Sequence, residues 1–589
     1  MQLPFDININ PTWKSWLFIA MALFLLALHF YDITADPSLL KSTEDIHDEA
    51  WWAENARQKI LYDRWTVDGI AGALAAGPLT VVWQYMVFSI GGINFFTLRL
   101  ISLLPFSLLI LSLLVRSCST VIPEPEKSTL RNTLLLLLCF PLVFDWSRLG
   151  HPEMLMGCLG IASFAIGRKE GKYNLIVAGV LAALALFVKG SFVYHFLAIG
   201  LVLAGSDYRH FFRRGLLFST GAAIVVLPFW FGYYLPNAAF FETYQNLFAG
   251  EYYTWGQLLH PAGIIFRLIH LVEKPFINDP LSSILIAVLL LRFLSGKVPR
   301  EKFSYSALLL FSFLLVLGSD FSPRRLVFPM LLLPFALAES QNDLKIRWWK
   351  IGIVYWILSL QLLPYCWPKA WLTWQLAGGG LNYSHWLWVA VFAQALLCAG
   401  LAYALNRYIP RNKQRKIGVS LPVVFWWIGV QFHSWQRLNC SIASESVILF
   451  LIGLGALCLL SCVVMERHRF NAIAILSLLW ILLAFNTRSH GVEIAANFLA
   501  KEGKPNEYAI GYGLPYTLTF LSPVSPVFHP DSERKLPIRW CIGMSSPEFP
   551  NRSMEADAKR FFPNCSAMHH TFGLYGKREE AWISECAIR

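Results

Sequence analysis

The chain has 589 residues, 56% of them hydrophobic and 15% charged, with a net charge of +12 and a mean hydropathy of +0.50. Soluble domains carry about a quarter of their residues charged, so these figures exclude one, and spanning-length apolar runs recurring from Trp16 to Phe485 point to a polytopic α-helical membrane protein. The positive charge does not point to nucleic acid, because Lys and Arg fall in short clusters between the apolar runs, as in cytoplasmic loops.

A transmembrane barrel is excluded as well, since runs such as 134–138 and 447–460 lack the alternation of its strands. Placing the basic clusters inside sets the topology. Helix one, 14–31, leaves the cytoplasm; with acids after it and no Ala-x-Ala exit, it reads as a retained helix rather than a cleaved signal. The acid-rich segment 32–68 then lies outside. The apolar run 78–90 is too short and too close to the next to span, and reads as an interfacial helix. Helix two covers 95–115 and helix three 131–146, which leaves the link 147–153 outside. Helix four runs in to Arg168, Lys169 and Lys172, and helix five, 173–188, delivers Lys189 and Gly190 to the outer face.

Helix six ends at Arg209, Arg213 and Arg214, and helix seven, 216–235, opens an outer loop over 236–280 rich in Tyr, Phe and Trp. Helix eight reaches Arg292, Lys297, Arg300 and Lys302. Helix nine, 303–318, places Arg324 and Arg325 outside, and helix ten ends at Lys345 and Arg347. Twelve ends at 407–416, fourteen at 466–469 and fifteen near Asn486. The count comes to about 13–15 spans, with the last hundred or so residues outside. That tail is polar, with a helical pattern from Val492 and a strand pattern at Tyr508, which suggests a small α/β domain. Of the 11 cysteines, Cys541, Cys565 and Cys586 lie there, where an oxidising compartment permits one disulfide whose pairing the spacing leaves open.

Charged elements that did not enter the topology all fall on the outer face: Asp48 with Glu49, Glu153, Lys189, and Arg324 with Arg325. Each has an ordinary reading of its own. The acid pair suits the start of a helix running to about Lys59, Glu153 after Pro152 suits a helix N-terminus, Lys189 can snorkel, and the arginines can hold lipid head groups. Taken together they suit a lipid-linked phosphate. Arg offers that anion a bidentate fork, and an opposed carboxylate can take the proton of an attacking hydroxyl. No Gly-rich loop for a nucleotide phosphate is present.

The stretch His47-Asp48-Glu49-Ala-Trp-Trp-Ala-Glu-Asn-Ala-Arg57 and the later Gly77-Pro78-Leu79 and Gly91-Gly-Ile-Asn-Phe-Phe-Thr-Leu-Arg99 resemble the first outer loop and second helix of GT-C class glycosyltransferases. The branch they resemble is that of the bacterial aminoarabinose transferases of lipid A and the protein O-mannosyltransferases. Ser147-Arg148-Leu-Gly-His-Pro-Glu153, Phe187-Val-Lys189-Gly190 and Pro323-Arg324-Arg325-Leu-Val-Phe-Pro329 resemble its later motifs in order. The resemblance covers roughly residues 1–340.

It implies a GT-C catalytic module over 1–340, with the first outer loop at 32–94, further membrane helices over 341–490 and an extracytoplasmic domain over 491–589. The implied reaction is inverting transfer of one sugar from a polyprenyl phosphate to an acceptor hydroxyl on a lipid, protein or glycan at the outer face of the cell membrane. Asp48 is then the catalytic carboxylate, supported by Glu49, with Glu153 as a second outer carboxylate. Arg324, Arg325 and Lys189 would bind the donor phosphate. One departure stands out: the family often has a lysine before the interfacial helix, where this chain has Ala76-Gly77-Pro78. No cofactor is expected; Asp48, Glu49 and Glu153 could take a divalent metal, but no His-rich or Asp-x-Asp cluster favours it. A lipid or polysaccharide transporter is the other reading, against which stand the missing internal repeat and the gathering of charges at one face.

Overall fold

A computed structural model describes residues 13–36, 44–65, 72–169, 171–205, 208–242, 304–316, 323–339, 490–511, 515–527, 538–545, 565–574 and 579–586, with isolated positions at 289 and between 392 and 407. Helix eight, the loop beyond residue 242, and helices eleven to fifteen apart from those isolated positions lie outside the described residues.

The first helix, α1 (Trp13–Phe30), ends in a turn and is followed by α2 (Glu44–Tyr62), α3 (Gly72–Ala76) and α4 (Pro78–Gly91). Pro78 sits at the first position of α4, where its missing N–H costs nothing. α5 (Phe95–Cys118) starts from a reciprocal cap: the Thr97 amide donates to Asn94 Oδ1 at 2.9 Å and the Asn94 amide to Thr97 Oγ1 at 3.2 Å. Helix three is a correction. It begins earlier, as α6 (Glu124–Cys139), and breaks before α7 (Pro141–Ser147), because Pro141 drives Phe140 into an extended conformation (φ −68, ψ 124).

Then come α8 (Pro152–Gly167), α9 (Lys172–Val188), α10 (Val193–Gly205) and α11 (Phe211–Phe229). The helical run of α11 continues through a π-helical turn, Trp230–Tyr234, to Glu242, so Pro236 lies inside it rather than opening the outer loop. α9 and α11 cross at a glycine pair: a Cβ on Gly179 would strike the Phe218 carbonyl, and one on Gly221 the Ile176 carbonyl. Backbones that close are how helices associate where no hydrophobic drive separates them from lipid. α12 (Tyr305–Val316) and α13 (Val327–Glu339) complete the described helical body, the latter wholly buried from Val327 to Ala338. Phe95–Cys118 and Phe211–Glu242 are long and apolar enough to cross a bilayer; the other apolar helices of the body are shorter.

The C-terminal part has the expected helix and strand, as α14 (Gly491–Glu502) and β1 (Tyr508–Gly511), followed by α15 (Pro515–Thr519), β2 (Ser525–Val527), β3 (Ile538–Ser545), β4 (Cys565–Leu574) and β5 (Glu579–Cys586). The sheet order is β2-β1-β3-β5-β4, parallel on either side of β1 and antiparallel around β5. Cys586 is disulfide-bonded, with Cys565 opposite it in the ladder, while Cys541 stays a thiol.

The element that joins the two parts is α2. Its residues 52–58 are buried without a break, although they include Glu54, Asn55, Arg57 and Gln58. Burial of so polar a helix requires every charged group to be paired.

Candidate functional site

Asp48 lies near the start of α2, with its side chain 37% exposed and paired to the Arg324 Nη1. Arg324 stands on a single 3₁₀ turn, Pro323–Leu326, that leads into α13. The ion pair therefore links residues 276 positions apart in sequence.

A second pair stands alongside. Glu153, one residue into α8 behind Pro152, is buried and accepts from the Lys189 ammonium at the C-terminal cap of α9. Burial above all, against the upward pull of Glu153 and with the charges of Arg324 and Arg325 added to it, holds Lys189 down at about 8. Arg324 also acts electrostatically on Glu153. Asp48, Glu153, Lys189, Arg324 and Arg325 thus share one electrostatic neighbourhood.

Lys189 is placed by its surroundings. Its Nζ lies 4.8 Å from the Trp52 ring centroid, a cation–π contact contributed by α2. Trp52 in turn abuts Gly77, where any Cβ would strike the Val188 carbonyl and come 3.3 Å from the indole. Thr80 Oγ1 donates to that same carbonyl at 2.6 Å, and a Cβ on Gly190 would lie 3.5 Å from the Ala76 carbonyl oxygen. The end of α9 is therefore seated against residues 76–80, and Lys189 stands next to the position at which the family pattern has its lysine.

Glu49 is placed elsewhere. It is buried against a different arginine: Arg99 Nε donates to it at 2.9 Å and Nη2 at 3.3 Å, and the Gly150 amide donates at 2.9 Å. Arg99 Nη1 also donates to the Ile33 and Ala35 carbonyls at 2.7 and 2.6 Å. Glu49 is thus the hub tying the loop after α1, α2, α5 and the turn before α8 together.

Sequence reasoning missed Trp52, Arg99 and His151. All three stand in motifs already singled out, but the partners of Trp52 and Arg99 are distant in the chain. His151 is fully buried, with Nδ1 3.7 Å from Glu153 Oε2, and neither ring nitrogen has a hydrogen-bond partner among the described residues. Among the described residues no group of three or more His, Cys, Asp or Glu side chains converges to hold a metal ion.

No family model and no curated protein matches the chain. Two crystal structures of ArnT from Cupriavidus metallidurans do. The one bound to undecaprenyl phosphate is 14% identical, with a TM-score of 0.51, and the apo structure is 15% identical, with a TM-score of 0.52. Each likeness covers 97% of this chain and 98% of the other. At that identity the kinship is one of architecture, and it extends from end to end: the chain has the fold of ArnT.

Proposed function

We propose that the chain is an integral membrane glycosyltransferase of the GT-C class that moves one sugar from a polyprenyl phosphate to an acceptor hydroxyl at the outer face of the membrane, with inversion. The observation that carries this reading is the meeting of Asp48 with Arg324 beside Glu153 and Lys189, a carboxylate and a set of cations drawn from four separate segments. The ArnT fold supports it, as does the undecaprenyl phosphate bound in one ArnT structure.

In this reading the donor phosphate is held by Arg324, Arg325 and Lys189. Their charges also stabilise the phosphate as the bond from the anomeric carbon to its oxygen breaks. The acceptor oxygen attacks that carbon from the opposite face and forms the new glycosidic bond, its proton passes to Asp48, and polyprenyl phosphate leaves. Lys189 takes over the place of the cation absent at Ala76, because the end of α9 seats it there. Glu153 keeps the buried ammonium paired, and Glu49 supports Asp48 by fixing α2 through Arg99 rather than by touching substrate. The helices of the body cross the membrane with the N-terminus inside and the C-terminal domain outside.

The test is transfer from a set of polyprenyl-phosphate sugars by purified protein in detergent. Asp48→Asn is expected to retain polyprenyl-phosphate binding and lose transfer by at least about 100-fold, the lower end of the range for general base catalysis. Transfer that survives in the variant removes Asp48 from its role. Wild-type protein that binds polyprenyl phosphate and transfers no sugar removes the enzyme reading.

A further inference from the structure

α2 is walled on two sides. At about 3.6 residues per turn, Glu49, Ala53 and Ala56 fall on the side facing the helical body, Arg57 follows about 40° beyond Ala53 with Glu54 and Gln58 further round, and Asp48 falls at the seam between Gln58 and Ala56. The second wall belongs to the C-terminal domain. Arg57 is fully buried there; its Nε donates to the Phe520 carbonyl at 3.0 Å, its Nη2 to the carbonyls of Ser522 and Val524, the latter at 3.0 Å, and its Nη1 to Glu54 at 2.8 and 3.1 Å. These are carbonyls left open by the end of α15 and the turn after it, and only the planar fork of a guanidinium reaches all three from one side chain.

Neighbouring contacts reinforce the grip. Tyr62 donates to the Pro523 carbonyl, and Gln58 Nε2 lies 3.4 Å from Ser525 Oγ. Phe520 is wholly buried, its ring 5.8 Å from that of Phe88 and 5.5 Å from that of Phe95. Tyr516, on the same short helix, is buried where the charges of Glu54 and Asp48 both reach it; burial first, and then those two charges, push its phenol well above the ordinary range.

We infer that the C-terminal domain is a working part of the candidate catalytic centre. Its segment 515–525 grips α2 through Arg57 and thereby sets where Asp48 stands, with Tyr516 buried on the short helix packed against α2. Arg57 and Tyr516 are positioning residues, and this role rests on the reading of Asp48 as the acceptor's base. Lys in place of Arg57 keeps the charge but not the fork, so the three carbonyls lose their common donor and α2 is released toward the seam.

The experiment uses the full chain in detergent and two variants, Arg57→Lys and Tyr516→Phe. Carbodiimide modification of Asp48, followed by mass spectrometry, reports its exposure independently of any activity, and transfer kinetics and polyprenyl-phosphate binding are read on the same samples. Arg57→Lys is expected to speed modification of Asp48 several-fold and to lower kcat by about 100-fold, the cost of roughly an ångström of misplacement at a reacting group. Tyr516→Phe, which leaves the grip intact, is expected to lower kcat while polyprenyl-phosphate binding stays within about twofold, the pattern of an interaction made in the transition state. Unchanged modification and unchanged kcat in Arg57→Lys overturn the inference. Should that variant fail to fold, wild-type kcat in Tyr516→Phe overturns it instead. If the wild type transfers no sugar, the enzyme reading falls, and the modification rate alone decides whether Arg57 positions Asp48.

Discussion

At the scale of residues, the site depends on a buried ammonium whose protonation is within reach of ordinary buffers. Burial, its largest cause, holds Lys189 at about 8, below the 10.5 of an ordinary lysine. In the donor-free chain the cation is present below that pH and is lost as pH rises through it. Affinity for polyprenyl phosphate is therefore expected to fall on the alkaline side of about 8. Arg in its place, which stays charged throughout this range, is expected to abolish that limb even if it weakens binding at neutral pH. Titration of binding by the two proteins between pH 7 and 10 checks this, and parallel alkaline losses in both would assign the limb to another group. The acidic motif around Asp48 and Glu49 drew attention to the right helix, but a string of letters does not tell the two carboxylates apart. They are adjacent in sequence and lie about 100° apart on the helix, so one meets Arg324 and the other meets Arg99, and both partners are far away in the chain.

At the scale of elements, helix ends were legible wherever a charge cluster or a proline marks them. α1, α4, α8 and α9 lie within a residue or two of where apolar runs and flanking bases put them. The break between α6 and α7 went unread because an apolar stretch on both sides of Pro141 looks like one run, although the extended conformation that a proline imposes on its predecessor was there to be used. Helix contacts were not legible at all, since close approach depends on which face each glycine occupies. Gly221→Ala is expected to destabilise the helical body by about 1–3 kcal/mol, the cost of overpacking, because the new Cβ meets the Ile176 carbonyl. The same change at Gly232, where no atom stands within 4 Å, is expected to stabilise by about 0.4–1 kcal/mol through the unfolded chain. Thermal unfolding of the two variants in one detergent compares them directly, and equal melting temperatures would mean that the α9–α11 crossing is looser than described.

At the scale of the whole molecule, composition and pattern carried a helical architecture with a small C-terminal α/β part, and the likeness to the ArnT fold covers 97% of the chain. What they left unread is how the two ends of the chain meet. Arg57 and the carbonyls it binds are 463 to 467 residues apart, and no local pattern encodes such a contact. Nor did the missing cation at Ala76 announce that Lys189, 113 positions on, occupies its neighbourhood. The topology predicts opposite sides for two exposed positions. Lys504→Cys should react with a membrane-impermeant maleimide in intact cells, and Arg213→Cys only after permeabilisation. Labelling of both from one side would break the alternation on which an outward-facing site depends.

The pair formed by Asp48 and Arg324 also has a bearing on timing. While each holds the other, Asp48 is committed to the Arg324 guanidinium, so in the proposed reading a hydroxyl that arrives alone meets a carboxylate already paired. In the proposed reading the donor is a phosphodiester whose two free oxygens suit the fork of Arg324, so its arrival would compete with Asp48 for that guanidinium and release the carboxylate. If Asp48 is the base proposed above, such an interlock predicts an ordered reaction, with donor ahead of acceptor, in which the base stays idle until the sugar is seated. Initial-rate kinetics with dead-end analogues would show it as acceptor-analogue inhibition that is uncompetitive toward the donor; noncompetitive inhibition there, from an analogue that also binds the donor-free enzyme, would mean that the lock is not one.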